Sequence, residues 1–209
     1  MKKNFVSITA VMLIALLFSG CAKVPQVEID AAKSAVENLK TVEANRYLPE
    51  EFNAMHDSLN LILTSVETEK SKFFLSRSYS DITLKLNTII ASSEELKTKT
   101  EEQKAKVREE VQAAVTETTN LISENKELLK KAPKGKEGKA ALEAIQNDIT
   151  IIEASLDEVN TLVTNGDYLT AKDKVNVSKQ KAISINSELT TAIAKTTPTI
   201  LSAFIHFWG

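Results

Sequence analysis

Between Ser80 and Ala132 the chain contains neither glycine nor proline. Over this stretch apolar residues recur at steps of three and four, which draws one oily seam along a helix face. The seam runs through Ile82, Leu86, Ile89, Ser93, Leu96, Thr100, Gln103, Val107, Val111, Ala114, Thr118, Leu121 and Leu128. Roughly fifty residues rising 1.5 Å each make a helix about 75 Å long. Such a helix is marginal alone in water, so other helices must cover its seam. Its polar middle, Thr98 to Lys106, is the weakest part of the expected core.

Stripes of the same rhythm flank it. Ile29, Ala32, Val36, Leu39 and Val42 form the first, after Pro25, with its end expected near Arg46. The residue before Pro49 avoids helical angles, whereas Pro49 itself suits the first turn of a second helix. Glu50 and Glu51 favour that helix start through its dipole. The second seam is Phe52, Met55, Leu59, Ile62, Val66 and Phe73, followed by a break near Ser76 to Ser80 where Ser78 or Ser80 caps the long helix. Pro133, Gly135 and Gly138 end the long helix in a lysine-rich loop. The fourth stripe is Leu142, Ile145, Ile149, Ile152, Leu156, Val159 and Val163, and Asn165-Gly166-Asp167 is a stop signal. The fifth, from Tyr168 through Ala171, Val175, Ser178, Ala182, Ile185 and Leu189 to Ala192, is expected to stop before Pro198.

Aromatic residues are 5% of the chain, with five glycines and four prolines, so material for strands and turns is scarce. The expected fold is all-α, an elongated antiparallel helical bundle. Sliding the chain by 89 positions places Tyr79 on Tyr168, Ile62 on Ile151, Leu63 on Ile152, Phe73 on Leu162 and Leu86 on Val175. Two three-helix units sharing the long helix follow, with helices 28–46, 50–76 and 79–104 in the first and 106–131, 139–164 and 167–195 in the second. This is similar in plan to spectrin-type repeats.

The N-terminus has the anatomy of an export signal. Lys2 and Lys3 are its basic start, Val6, Ile8 and Ala10 to Phe18 its apolar run, and Ser19 and Gly20 its small residues. The run is short of the ~20 residues a spanning helix needs. Cys21, the only cysteine, closes Leu17-Phe18-Ser19-Gly20-Cys21, which resembles the lipobox of bacterial lipoproteins, with Phe18 where that family usually has Leu. The resemblance implies a diacylglycerol on the thiol, cleavage before Cys21 and acylation, such as with palmitate, of the new amine. Ala22, in place of the Asp that marks inner-membrane retention in that family, implies the outer membrane. A plain secretory signal would instead leave an unpaired thiol in an oxidising compartment. The segments are therefore a signal peptide (1–20), a tether (21–27), a first unit (28–104), a second unit (105–195) and an apolar tail (196–209). Arg46-Tyr47-Leu48-Pro49-Glu50-Glu51-Phe52 and Gly166-Asp167-Tyr168 with Ala171 also look like turns of helical bacterial lipoproteins of unassigned activity. There the motif is Arg-Tyr-x-Pro-Glu-Glu-Leu; here Phe52 replaces the Leu, and Ser78-Tyr79 replaces Gly-Asp-Tyr in the first unit. That resemblance implies a cell-envelope role.

Chemistry-bearing residues are few. The net charge of −2 becomes −4 without the first twenty residues, which gives no electrostatic case for nucleic acid. His56 has Asp57 and Glu51 near but no second His or Cys, so a solvated rim position is expected. His206 has no carboxylate close in sequence, and neither histidine pairs with a nucleophile, so no catalytic residue, metal site or cofactor is expected. Pro133 to Ala140 lacks the glycine spacing, the Ser/Thr and the preceding strand of a phosphate loop. Lys130, Lys131, Lys134, Lys136 and Lys139 form a basic tip that either stabilises the helix end or touches an anionic surface. The tail from Ile200 to Gly209 is expected to fold back with Trp208 over a helix end, or to contact a membrane or partner. Phe204, Phe207 and Trp208, with Lys131, Lys134 and Lys136, are the candidate contact residues. The function these features favour is a non-enzymatic spacer, scaffold or docking module, anchored by lipid and meeting a protein partner in the envelope. The alternatives are a structural coiled-coil oligomer, or a small-ligand carrier or enzyme with a site between helices. Ser93, Thr100 and Gln103 are the polar stretch that would line such a site.

Overall fold

The computed structural model describes residues 23–133 and 138–207, the stretch 196–207 by its backbone alone. Cys21, Lys134, Lys136 and Trp208 lie outside the described residues. The elements are α1 (Gln26–Thr41), α2 (Ala44–Tyr47), α3 (Pro49–Ser71), a 3-10 turn (Phe74–Ser76), α4 (Ser80–Lys131), α5 (Gly138–Thr164) and α6 (Tyr168–Phe207). The described residues contain no strand, and the fold is an all-α helical bundle. It divides into two compact units, Met1–Gln103 and Lys104–Gly209.

In the first unit α1, α3 and the start of α4 bury one apolar cluster. Ile29, Ala32, Val36 and Leu39 face Phe52, Leu59, Ile62 and Val66, with Ile82, Leu86, Ile89 and Leu96 closing the third side. Pro49 and the two glutamates start α3, with Pro49 at its first turn. The first helix stops at Thr41, not near Arg46. Glu43 adopts a left-handed backbone (φ 63°), and Ala44–Tyr47 forms a separate turn. That conformation costs a non-glycine residue about 1 kcal/mol. Burial of Ala44 and Tyr47 behind the bend, with Arg46 paired to Glu43 at 2.5 Å, offsets it. α3 ends at Ser71, five residues before the expected break, so Phe73 is no seam residue: it is 67% exposed.

In the second unit ion pairs and hydrogen bonds give the helix directions. Lys172 meets Glu110 at 2.6 Å and Lys179 meets Glu117 at 3.1 Å, so residue numbers rise together and α6 runs parallel to α4. Lys181 meets Asp148, Ser178 meets Ser155 and Lys174 meets Glu158, so α5 runs antiparallel to α6. Ile145, Ile149, Ile152, Leu156 and Val159 face Ala171, Val175, Ala182, Ile185 and Leu189 as core. The turn between them closes with the Asp167 amide on the Leu162 carbonyl and the Gly166 amide on the Val163 carbonyl, with Gly166 at φ 82°. This is the glycine stop that the residue pattern announced.

Burial repeats along the chain more tightly than the residue identities do. Ile82, Leu86, Ile89, Ser93, Leu96 and Thr100 are buried, and so are Ala171, Val175, Ser178, Ala182, Ile185 and Leu189, each 89 positions on. The middle helices keep a different interval. Leu59, Ile62 and Val66 correspond to Ile149, Ile152 and Leu156, 90 positions on, and Ile151 is exposed. The pairings of Ile62 with Ile151 and Leu63 with Ile152 are therefore displaced by one residue. The last seam also differs from expectation: α6 does not stop before Pro198 but runs on to Phe207, so its backbone does not turn back after Ala192. An internal proline removes one ladder bond and costs about 3 kcal/mol. Helix formers on both sides, Ala192 and Ala194 before it and Leu201 and Ala203 after it, favour continuation.

Replacing Gly166 by Ala tests the stop. A Cβ there meets nothing within 4 Å, so the whole cost is backbone strain. Denaturant unfolding should show a loss of about 1–2 kcal/mol. An unchanged midpoint would show that the left-handed turn is not needed.

Candidate functional site

The described part of the basic tip is formed where α4 ends and α5 begins. Lys130 and Lys131 occupy the last turn of α4, where cations stabilise exposed carbonyls. A groove of about 670 Å³ opens beside them, lined by Ser123, Lys126, Glu127, Leu129, Lys130, Lys139, Leu142, Glu143 and Gln146. Lys130 of the tip binds Glu127, and Lys126, one turn earlier, binds Glu153, both at 2.6 Å, so these two groove cations are already paired. The hydrogen bond from Lys130, reinforced by its charge, lowers the pKa of Glu127. Leu129 and Leu142, both half-buried, are the apolar residues of the groove lining, and Lys126, Glu127, Lys130, Lys139 and Glu143 are the charged ones. Such a trough suits an amphipathic segment better than a small polar metabolite. Phe204 and Phe207 fall in the last turns of α6.

The polar seam residues are buried but hold no open chemistry. Ser93 donates to the Ile89 carbonyl at 2.8 Å and Thr100 to the Leu96 carbonyl at 2.7 Å, each back onto its own helix. Ser93 also lies 3.2 Å from the Met55 sulfur, and Gln103 is half-buried. Hydroxyls bonded one turn back are satisfied within the helix and aim no donor at a ligand. His56 stands exposed, with Nδ1 3.2 Å from the Asn60 amide nitrogen and its ring stacked on Phe52 at 6.4 Å. Among the described residues no group of three or more His, Cys, Asp or Glu is placed to hold a metal ion.

A polar layer in the second unit escaped sequence reasoning. After Thr118 the buried positions are Ile122 and Asn125 on α4 and Ala132 just past its end, and Leu121 and Leu128 are only half-buried. The spacing predicts both in the seam, but the heptad shifts by one residue and brings Asn125 inside. The only signal was the polar Thr118 itself. Asn125 is fully buried and donates through Nδ2 to the Ala182 carbonyl at 2.8 Å. Its Oδ1 has no partner, and neither does the buried Nδ2 of Asn186, one turn after Ala182 on α6. Ser178 donates to Ser155 at 2.8 Å in the same unit.

Two measurements follow. Asn125→Leu removes an orphaned buried acceptor at similar volume and leaves the Ala182 carbonyl in its helix ladder. It should stabilise the chain by about 1–2 kcal/mol in urea unfolding. A loss of similar size would instead mean that the amide is satisfied. Separately, the hydrogen bond and charge of Lys172 lower the pKa of Glu110 below 4.5. A lowered carboxylate stabilises the fold above its unfolded value, and that contribution fades as pH falls through the folded one. The thermal midpoint should therefore drop on acidification below about pH 4.5, and drop less in Glu110→Gln. Equal drops would remove the pair from the account of stability. No protein-family model, curated protein or solved structure matches this chain.

Proposed function

We propose that this chain is a lipid-anchored, non-enzymatic spacer or docking module of a bacterial cell envelope, held on the outer membrane through Cys21. One observation carries the reading: the only cysteine closes a basic, apolar and small-residue leader at Leu17-Phe18-Ser19-Gly20-Cys21. Two or more acyl chains, at ~0.8 kcal/mol per buried methylene, hold a protein stably on a bilayer. No helix among the described residues is long and apolar enough to cross a membrane, so those residues supply no spanning anchor of their own.

The packing supports a spacer over its rivals. Each unit buries its seams with helices of the same chain, which leaves a coiled-coil oligomer little apolar stripe to share. The inward hydroxyls of Ser93 and Thr100 are engaged by their own helix, which weighs against a ligand site on the polar seam. The partner implied is a protein of the envelope, met through exposed helix faces or the apolar trough beside Lys130.

Mass spectrometry of the chain isolated from membranes should find Cys21 as the first residue, carrying diacylglycerol and an acylated amine. Cys21→Ser should cut the mature, membrane-pelleted fraction at least about tenfold. A native chain with an unmodified thiol would end this reading.

A further inference from the structure

The connection between α3 and α4 in the first unit carries three large apolar residues in a row, all facing solvent. Phe73 is 67% exposed, Phe74 47% and Leu75 63%. The two rings pack on each other at 4.7 Å. The fold does not demand them. In the second unit the corresponding connection is the short Asn165-Gly166-Asp167 stop, preceded by a helix that continues to Thr164. Nor are they a loose loop. Arg77 donates through Nη2 to the Lys70 carbonyl at 2.6 Å and through Nε to the Lys72 carbonyl at 2.9 Å. The Ser78 amide donates to Glu69, and Ser76 closes onto the Phe73 carbonyl at 2.8 Å. A polar clasp on one side thus holds the apolar triplet outward on the other.

This turn lies at the end of the unit where the chain enters. Gln26, in the first turn of α1, and Lys70, in the last turn of α3, line one groove. Lys23, the first described residue, follows Cys21 by two positions.

Resting on the tether at Cys21, we propose that the Phe73-Phe74-Leu75 turn inserts into the interface of the bilayer that the lipid occupies, and so orients the first unit on it. The triplet offers roughly 300–400 Å², judged from the ~150–250 Å² an aromatic side chain buries. A stable protein interface needs about 800 Å² per partner, which argues against a second copy as occupant. Aromatic and aliphatic side chains at a helix turn suit the headgroup and acyl boundary. Of the flanking cations, Lys70 pairs with Glu67, Lys72 pairs with Glu69 and Arg77 is held on two backbone carbonyls, so attachment depends mainly on apolar contact and little on lipid charge.

The test uses the full lipidated chain in vesicles of phosphatidylcholine mixed with anionic phosphatidylglycerol, so that an attraction to lipid charge could show itself. Trp208→Phe removes the native indole and Phe74→Trp places one in the turn. Leu61→Trp, at an exposed position in the body of α3, is the control. Lipids brominated near the ester carbonyls should quench the Phe74→Trp indole at least about threefold more than the control. Raising salt from about 0.1 to 1 M should leave that unchanged, because the contact is apolar and Arg77, held on carbonyls, adds little for screening to weaken. Adding Phe73→Ser and Leu75→Ser should bring quenching down to the control, with the helical unfolding transition intact. A chain that carries its lipid and floats with the vesicles, yet shows equal quenching at both indoles, overturns the insertion and leaves the tether standing. A blue shift that grows with protein concentration and ignores bromine assigns the turn to a second copy and also overturns it. Salt-sensitive quenching overturns the apolar account. An unmodified thiol on Cys21 ends the tether and the bilayer assignment together.

Discussion

A helix that is never interrupted for 52 residues has to find a cover for its apolar stripe along its whole length. Ile82, Leu86, Ile89 and Leu96 of α4 are covered within the first unit, and Val107, Val111 and Ile122 within the second. Where the stripe turns polar the helix tolerates it locally. Ser93, Thr100 and Thr118 each return a hydroxyl to the carbonyl one turn back. Three buried polar side chains thereby need no partner from another helix. A seam of this kind can pass from one apolar cluster toward the next without a break in the backbone.

Charge arranges what apolar packing leaves degenerate. Valine and isoleucine stripes would pack in more than one register, and the second unit adds rungs that do not. Lys172 with Glu110, Lys179 with Glu117 and Lys181 with Asp148 each tie α6 to one level of a neighbour. Each such exposed pair contributes little energy alone. Together with the buried Asn125 bond to Ala182, they penalise a slipped helix more than a correctly seated one. A single buried asparagine is the best attested device for that purpose.

Two apolar features of the described residues bear on function. The trough between α4 and α5 is lined by Leu129 and Leu142 together with charged residues, of which Lys126 and Lys130 are paired. The turn at Phe73 has apolar residues held out by a clasp of hydrogen bonds. The first suits a protein or peptide partner. The second fits a surface whose position is set by where the chain begins its fold. A tethered module needs both a place to stand and a face to present, and these features are candidates for those two tasks.

The repeat rhythm, the scarcity of glycine and proline inside the stripes, and the Asn165-Gly166-Asp167 stop made the all-α fold and the unbroken α4 legible in the amino-acid order. Such signals are local: they depend on spacing and on the φ values a residue tolerates. Three features were not local, and tertiary packing decided them. The bend at Glu43 has no glycine to announce it and exists because Ala44 and Tyr47 gain burial behind it. Asn125 entered the core because the seam shifted by one residue after Thr118, which only a neighbouring helix can select. Phe73 looked like core because its spacing continued the α3 stripe, but α3 ended first and left it in solvent. Pro198 is a different case: it reads as a terminus, yet α6 passes through it with helix formers on both sides. Hydrophobic spacing says which side chains could share a face. Only the position of the covering helix says which of them are covered.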